Sequence, residues 1–184
     1  MALLETPRGE LGSRAPAFSL PGVDGHILSL EQCSASPVLL VMFLCNHCPY
    51  VQAILDRLVT LGREYPRSRV AMVAINSNDA TQYPEDSFAN MQGLAKTMNF
   101  PFPYLLDETQ EVARAYGAVC TPDLFLYDAE RALRYRGRLD DAPRDPERVR
   151  QRELKEAIDA LLQGKPISPL QNPSLGCSIK WRRG

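Results

Sequence analysis

Val38-Leu39-Leu40-Val41-Met42-Phe43-Leu44-Cys45-Asn46-His47-Cys48-Pro49-Tyr50-Val51 decides how this chain folds. The apolar run from Val38 to Leu44, bounded by Pro37, is too short for a typical helix and predicts a buried strand. Val51, Ile54, Leu55 and Leu58 follow at i, i+3, i+4 and i+7, the stripe of an amphipathic helix. A Cys-x-x-Cys lies between the two, at a strand-to-helix turn. That position sets the first sulfur, Cys45, at a helix N-terminus, where unpaired N–H groups and the helix dipole stabilise a thiolate. A thiolate with a second cysteine two residues on is what thiol–disulfide exchange requires, one sulfur attacking and the other resolving. Pro49 suits the first helical turn, where a missing N–H costs little.

The rest of the composition narrows the class. A length of 184 residues suits one domain with a substantial core. Lysine plus arginine number 21 against 22 aspartates and glutamates, a net charge of -1, which gives no electrostatic case for nucleic acid or an acidic membrane surface. No apolar run reaches the roughly 18 residues of a membrane-spanning helix. The segment from Met1 to Arg14 lacks an apolar core, so no secretory signal is expected. Five cysteines, only two of them closely spaced, argue against a structural disulfide framework and for a reducing, cytoplasmic setting. No glycine-rich phosphate loop is present, so no nucleotide or flavin is implied.

Phe18 to Leu20 and Ile27 to Leu30 flank a turn at Gly22-Val23-Asp24-Gly25 and predict an N-terminal hairpin. Val70 to Ile75 predicts a second buried strand. The polar segment Asn76 to Pro84 leaves the same sheet edge as the Cys-x-x-Cys turn, where open α/β sheets bind ligands; Tyr83 is the contact expected there. Phe88, Met91, Leu94, Ala95 and Met98 mark a helix. Asp107 with Gln110 has capping-box spacing and predicts a short helix through Tyr116 that stops at Gly117. Leu124 to Tyr127 and Ala132 to Gly137 predict a hairpin. Asp145-Pro146 predicts the start of a last helix through Val149, Leu154, Ile158 and Leu161. The expected architecture is α/β, a mixed central sheet flanked by helices. Residues 1–14 are read as an extension, 15–165 as the domain and 166–184 as a tail docked on it.

With Thr121-Pro122 before a strand, an N-terminal hairpin and the strand–CxxC–helix unit, the chain resembles the thioredoxin superfamily over roughly Ala15 to Gln163. That resemblance implies a thioredoxin fold, with a cis Pro122 facing the cysteines and shaping a substrate groove. Cys45-Asn46-His47-Cys48-Pro49-Tyr50-Val51, Val119-Cys120-Thr121-Pro122-Asp123 and Asn172 to Trp181 are similar to a bacterial peroxiredoxin-like subfamily described as probable thioredoxins or thiol-disulfide isomerases. Set against peroxiredoxins, Cys48-Pro49 falls on the peroxidatic Cys-Pro. Cys45 stands where their threonine is and Val41 where a proline is; Thr121-Pro122 occupies the stretch where their arginine is expected. The dithiol is thereby favoured over peroxide chemistry.

The resulting expectation is a thiol–disulfide oxidoreductase with a redox-active Cys45–Cys48 disulfide and no other cofactor. Cys45 attacks, Cys48 resolves, and Asn46, His47, Pro49, Thr121 and Pro122 support them. An imidazolium at His47 would favour the Cys45 thiolate. No charged residue in the preceding strand supplies a proton-transferring carboxylate. Protein or small-molecule disulfides are the expected substrates and a thiol reductant or reductase the partner. Two alternatives remain: a thiol-dependent peroxidase with Cys48 peroxidatic, and a non-catalytic zinc- or partner-binding module. Zinc is disfavoured because Cys120, Cys177, His26 and His47 are scattered, so no metal is assigned. Cys33 reads as a small buried hydrophobe. Cys120, two residues before Pro122, is a candidate third redox thiol, whereas Cys177 reads mainly as packing.

Overall fold

The computed structural model describes residues 3–182. Its centre is a five-stranded sheet in the order β6-β5-β4-β8-β9, formed by β4 (Val38–Phe43), β5 (Val70–Asn76), β6 (Tyr104–Leu106), β8 (Asp123–Tyr127) and β9 (Leu133–Arg136). β4 and β6 run parallel to β5, while β8 runs antiparallel to β4 and β9 to β8. Every residue of β4 and β5 is buried, because both faces of the sheet are covered. Their unbroken apolar runs follow from that.

The pleat sorts the core into two layers. Val38, Leu40 and Met42 face α1 (Pro49–Glu64) through Ile54 and Leu58, together with α2 (Phe88–Thr97) through Met91 and α4 (Glu153–Leu162) through Leu154 and Ile158. Leu39, Val41 and Phe43 face the hairpin of β2 (Ser19–Pro21) and β3 (Ile27–Ser29), and Ala113 and Tyr116 of α3 (Glu111–Tyr116). A smaller antiparallel sheet, β1-β10-β7, joins the two ends of the chain: β1 (Leu3–Glu5) pairs with β10 (Leu175–Ser178), and β10 pairs with β7 (Cys120–Thr121). Among the described residues, no helix is long and apolar enough to cross a membrane.

Three local expectations need correcting. The last helix begins at Glu153, not at Pro146, which opens only a single 3-10 turn. Asp141 Oδ1 accepts the N–H groups of Arg150 and Gln151, which holds that stretch outside the helix. Asp107 and Gln110 do not form a reciprocal box. Asp107 caps α3 by accepting from Val112 and Ala113, whereas Gln110 adopts a left-handed φ of 65° and donates its amide to Ser77 and Lys180 carbonyls. Strand β6 went unpredicted because three residues behind Pro101 and Pro103 carry no readable alternation. Gly117 does end α3, at φ 63°, where a side chain would be strained.

Beneath β8, Asp123 and Arg136 form a buried bidentate pair, with Nε to Oδ1 at 3.1 Å and Nη2 to Oδ2 at 2.7 Å. Removing one partner of such a pair strands a charge and costs about 3–5 kcal/mol, whereas replacing both is far milder. Asp123→Ala is therefore expected to lose that much in urea unfolding, and Asp123→Leu with Arg136→Met much less. Equal losses for the two would show that the pair is not what holds this corner.

Candidate functional site

The turn after β4 carries the cysteines into α1, but the helix N-terminus belongs to Cys48 rather than Cys45. Cys48 is the residue directly before the first helical residue, Pro49, and the backbone N–H of Val51 faces its sulfur. That corrects the expectation that Cys45 takes the helix advantage; Cys45 lies three residues too early. Both sulfurs are enclosed, with Cys45 1% and Cys48 0% exposed.

Their electrostatics diverge. The Cys45 thiol donates toward Cys48, and this, opposed by burial, lowers Cys48; the Cys177 thiol and the N–H groups of Val51 and Cys177 add to it. A Thr121 carbonyl 3.2 Å away, which accepts from the Cys48 thiol, is the one facing acceptor, and the donors outweigh it. Cys48 is brought down to about 5. Cys45 is pushed far up by the same hydrogen bond to Cys48, by burial and by the Asp86 carboxylate. Its sulfur also lies 3.1 Å from the Thr121 hydroxyl. The surroundings thus favour negative charge on Cys48 and oppose it on Cys45.

Asp86, wholly buried, is the site residue that the sequence concealed. Its Oδ1 accepts from the Asn46 backbone N–H at 2.7 Å. Its Oδ2 accepts from Asn78 Nδ2 at 2.7 Å and lies 2.7 Å from His47 Nδ1. Tyr83 stacks on the His47 ring, with centroids 5.4 Å apart and planes 6° apart, and Lys180 Nζ sits over Tyr83. Asn46 is held at its other end, donating to the Glu85 carbonyl and accepting from the Tyr104 hydroxyl. A buried carboxylate does stand beside the motif, but it comes from the Pro84–Asp86 turn instead of from the preceding strand. In sequence, Asp86 looked like an ordinary acidic residue near a helix start.

The Thr121-Pro122 peptide is cis, and Thr121 touches both sulfurs. The backbone edge there is already engaged, because β10 pairs with β7 and sets Cys177 opposite Thr121. Of the two outlying thiols, Cys177 faces Cys48; Cys120, pushed up to about 12 by burial and then by Asp123, has its strongest neighbour in that carboxylate. Cys33 is buried in the opposite layer beside the hairpin. Cys45, His47 and Asp86 each offer one ligand atom within 4.8 Å of one another, which is the cation-binding potential of this site. Both Asp86 oxygens are, however, committed to the hydrogen bonds above.

A family model described as AhpC/TSA matches residues 11–136. The chain belongs to that family. It is a thioredoxin-like redoxin, and its mixed sheet, flanking helices and N-terminal hairpin are a thioredoxin fold. The thioredoxin-like protein YneN of Bacillus subtilis is 28% identical over 117 residues, 64% of this chain and 65% of that one, so the redoxin spans only about two thirds of that relative. An uncharacterized conserved protein from Geobacillus kaustophilus superposes with a TM-score of 0.95 at 47% identity, covering 100% of this chain and 98% of that one. Peroxidoxin BcpB of Mycobacterium tuberculosis shares the fold at a TM-score of 0.62 and 18% identity, over 84% and 96% of the two chains.

A folded-state value for Cys48 below its unfolded value means that the thiolate stabilises the fold above the ordinary thiol range and that this support is lost as pH falls through the folded value. Ultraviolet thiolate absorbance that disappears in Cys48→Ser is expected to titrate with a midpoint of about 5. A midpoint near the ordinary cysteine value of about 8.5 would contradict the donor arrangement.

Proposed function

We propose that this redoxin is a thiol–disulfide oxidoreductase whose working pair is Cys45 and Cys48, with Cys48 reacting first. The observation that carries this is the unlike placement of the pair: Cys48 stands at the N-terminus of α1, and Cys45, three residues earlier, hydrogen-bonds to it. The order reverses the roles expected from the sequence, because the helix donors serve Cys48.

The Cys48 thiolate attacks one sulfur of a substrate disulfide, forming a mixed disulfide and expelling the other sulfur as a thiolate. Cys45 then gives up its proton and attacks the Cys48 sulfur. The remaining substrate thiolate leaves, and a Cys45–Cys48 disulfide stays behind. An external dithiol or a reductase returns two electrons and two protons to close the cycle. No further cofactor enters. The Cys45 proton needs an acceptor, and His47 and Asp86 both offer a basic atom within 4.8 Å. Asp86 fixes the imidazole through Nδ1, so the pair acts as a positioned base when Cys45 resolves.

The enclosure of both sulfurs supports a second reading, in which the acceptor is small. A hydroperoxide would pass an oxygen to the Cys48 thiolate and release an alcohol or water; Cys45 would then condense with the sulfenic acid and expel water. Arg136 is bound to Asp123 and so is committed elsewhere. That weakens this reading, as does Thr121-Pro122 in the stretch where the peroxiredoxin arginine belongs.

Reduction of a small aromatic disulfide by dithiothreitol separates the two when run beside hydroperoxide consumption. Wild type is expected to accelerate the disulfide reaction, with Cys48→Ser inactive and Cys45→Ser forming the Cys48 mixed disulfide but never a Cys45–Cys48 disulfide. Peroxide turnover exceeding disulfide turnover would transfer the assignment to the second reading. Asp86→Asn is expected to leave mixed-disulfide formation intact while slowing its resolution on the order of a hundredfold. Stopped-flow release of the second thiol reads that step directly, and unchanged release would remove Asp86 from the chemistry.

A further inference from the structure

The C-terminal strand lies where an incoming substrate segment would lie. β10 runs antiparallel to β7, and its register sets Cys177 directly across from Thr121, the residue whose carbonyl and hydroxyl contact Cys48 and Cys45. Gly176 makes the close approach possible: a Cβ there would stand 2.2 Å from the Thr121 carbonyl oxygen. The strand is fixed on both sides of the cysteine. Thr6 donates its N–H to the Ser174 carbonyl, and Ile179 donates to Val119. Asp79 donates its N–H to the Lys180 carbonyl, while Asn78, which also holds Asp86, accepts from Lys180 N–H.

A cysteine kept only for packing needs no particular sulfur neighbour. Cys177 instead shares one buried cluster with Cys48 and lies across the ladder from Thr121, whose carbonyl is 3.2 Å from the Cys48 sulfur. Its thiol and N–H act as donors that lower Cys48. Cys120, the closer of the two to Pro122 in sequence, is adjacent to Thr121 along the strand but has no such contact with Cys48 among its hydrogen bonds.

We infer that Cys177 is a second resolving thiol for Cys48, carried on the protein's own pseudo-substrate strand. It rests on the proposed disulfide chemistry for its first step alone. Once Cys48 holds a substrate as a mixed disulfide, the Cys177 thiol loses its proton and attacks the Cys48 sulfur. The substrate leaves as a thiolate that takes up that proton, and a Cys48–Cys177 disulfide forms. One S–S bond breaks, one forms, and no further oxidant is needed. From a Cys45–Cys48 disulfide the same attack expels Cys45, whose sulfur receives the proton from Cys177. Cys48 is thereby the hub of two interchangeable disulfides, and the strand carrying Cys177 is tied to the oxidised state.

The test is stoichiometric oxidised glutathione added to Cys45→Ser, with acid quench and peptide mapping by fragmentation mass spectrometry. The expected product is a Cys48–Cys177 crosslink, with both glutathione halves released as thiols and none retained. In Cys45→Ser with Cys177→Ser, Cys48 is expected to keep its glutathione. A Cys45→Ser protein that stops at Cys48–glutathione with Cys177 free would overturn the role of Cys177 and leave the dithiol reading standing. A protein whose Cys48 takes no glutathione at all would overturn both. Should the serine variants fail to fold, wild type is mapped under the same oxidant. Cys48–Cys177 linkage is then expected beside Cys45–Cys48, and its complete absence would defeat the proposal.

Discussion

Pairing of Leu175–Ser178 with Cys120–Thr121 is the interaction on which the rest of this site depends. Without it, Thr121 would present an open strand edge and Cys48 would lose the donors of Cys177. Asn78 would also lose the backbone N–H of Lys180 that orients its side chain against Asp86. The central sheet would persist, since β4 and β5 draw their stability from two apolar layers that scarcely involve the tail. Core and centre are thus built by different forces. Non-directional burial sets the strands and helices, while a short hydrogen-bonded ladder sets the chemistry.

Asp86 shows why the ladder must be complete. A buried carboxylate is tolerated when its lone pairs are satisfied, and here a backbone N–H, an amide and an imidazole satisfy them. The hydrogen bond to Cys48 and burial push Cys45 up, and the same carboxylate adds to this by repelling a charge there. The Cys45 hydrogen bond and the donors of Cys177 and Val51 meanwhile draw negative charge to Cys48. Two cysteines three positions apart are made unlike by which end of the turn each occupies. His47 owes its position to Asp86 on one side and to the Tyr83 ring on the other.

Much of the fold was legible because its signals are local and periodic. The continuous apolar runs at Val38 and Val70, the stripe from Val51 to Leu58 and the stop at Gly117 each report their own element. What failed was non-local. The start of α4 is delayed by an Asp141 carboxylate from the preceding loop, and Gln110 is diverted by carbonyls of Ser77 and Lys180. The motif cysteines, His47, Tyr83 and Thr121 do meet in one place, as the shared sheet edge suggested for the first four and the thioredoxin resemblance implied for Thr121. Asp86 and Cys177 could not be found that way. Each reaches the centre through a partner far along the chain; no pattern marks Asp86 apart from a surface acid, and Cys177, though inside the Asn172 to Trp181 motif, reads as a core thiol.

The order of synthesis gives β10 another meaning. Cys48 leaves the ribosome well over a hundred residues before Cys177 does, and β4, β5 and α1 are complete long before β10. During that interval a nascent chain can assemble its sheet, but Cys48 lacks the covering strand and the donors that strand supplies. Closure of the centre therefore waits for the last segment to arrive. Chains cut short before Leu175 would carry an uncovered dithiol, and the finished molecule a guarded one.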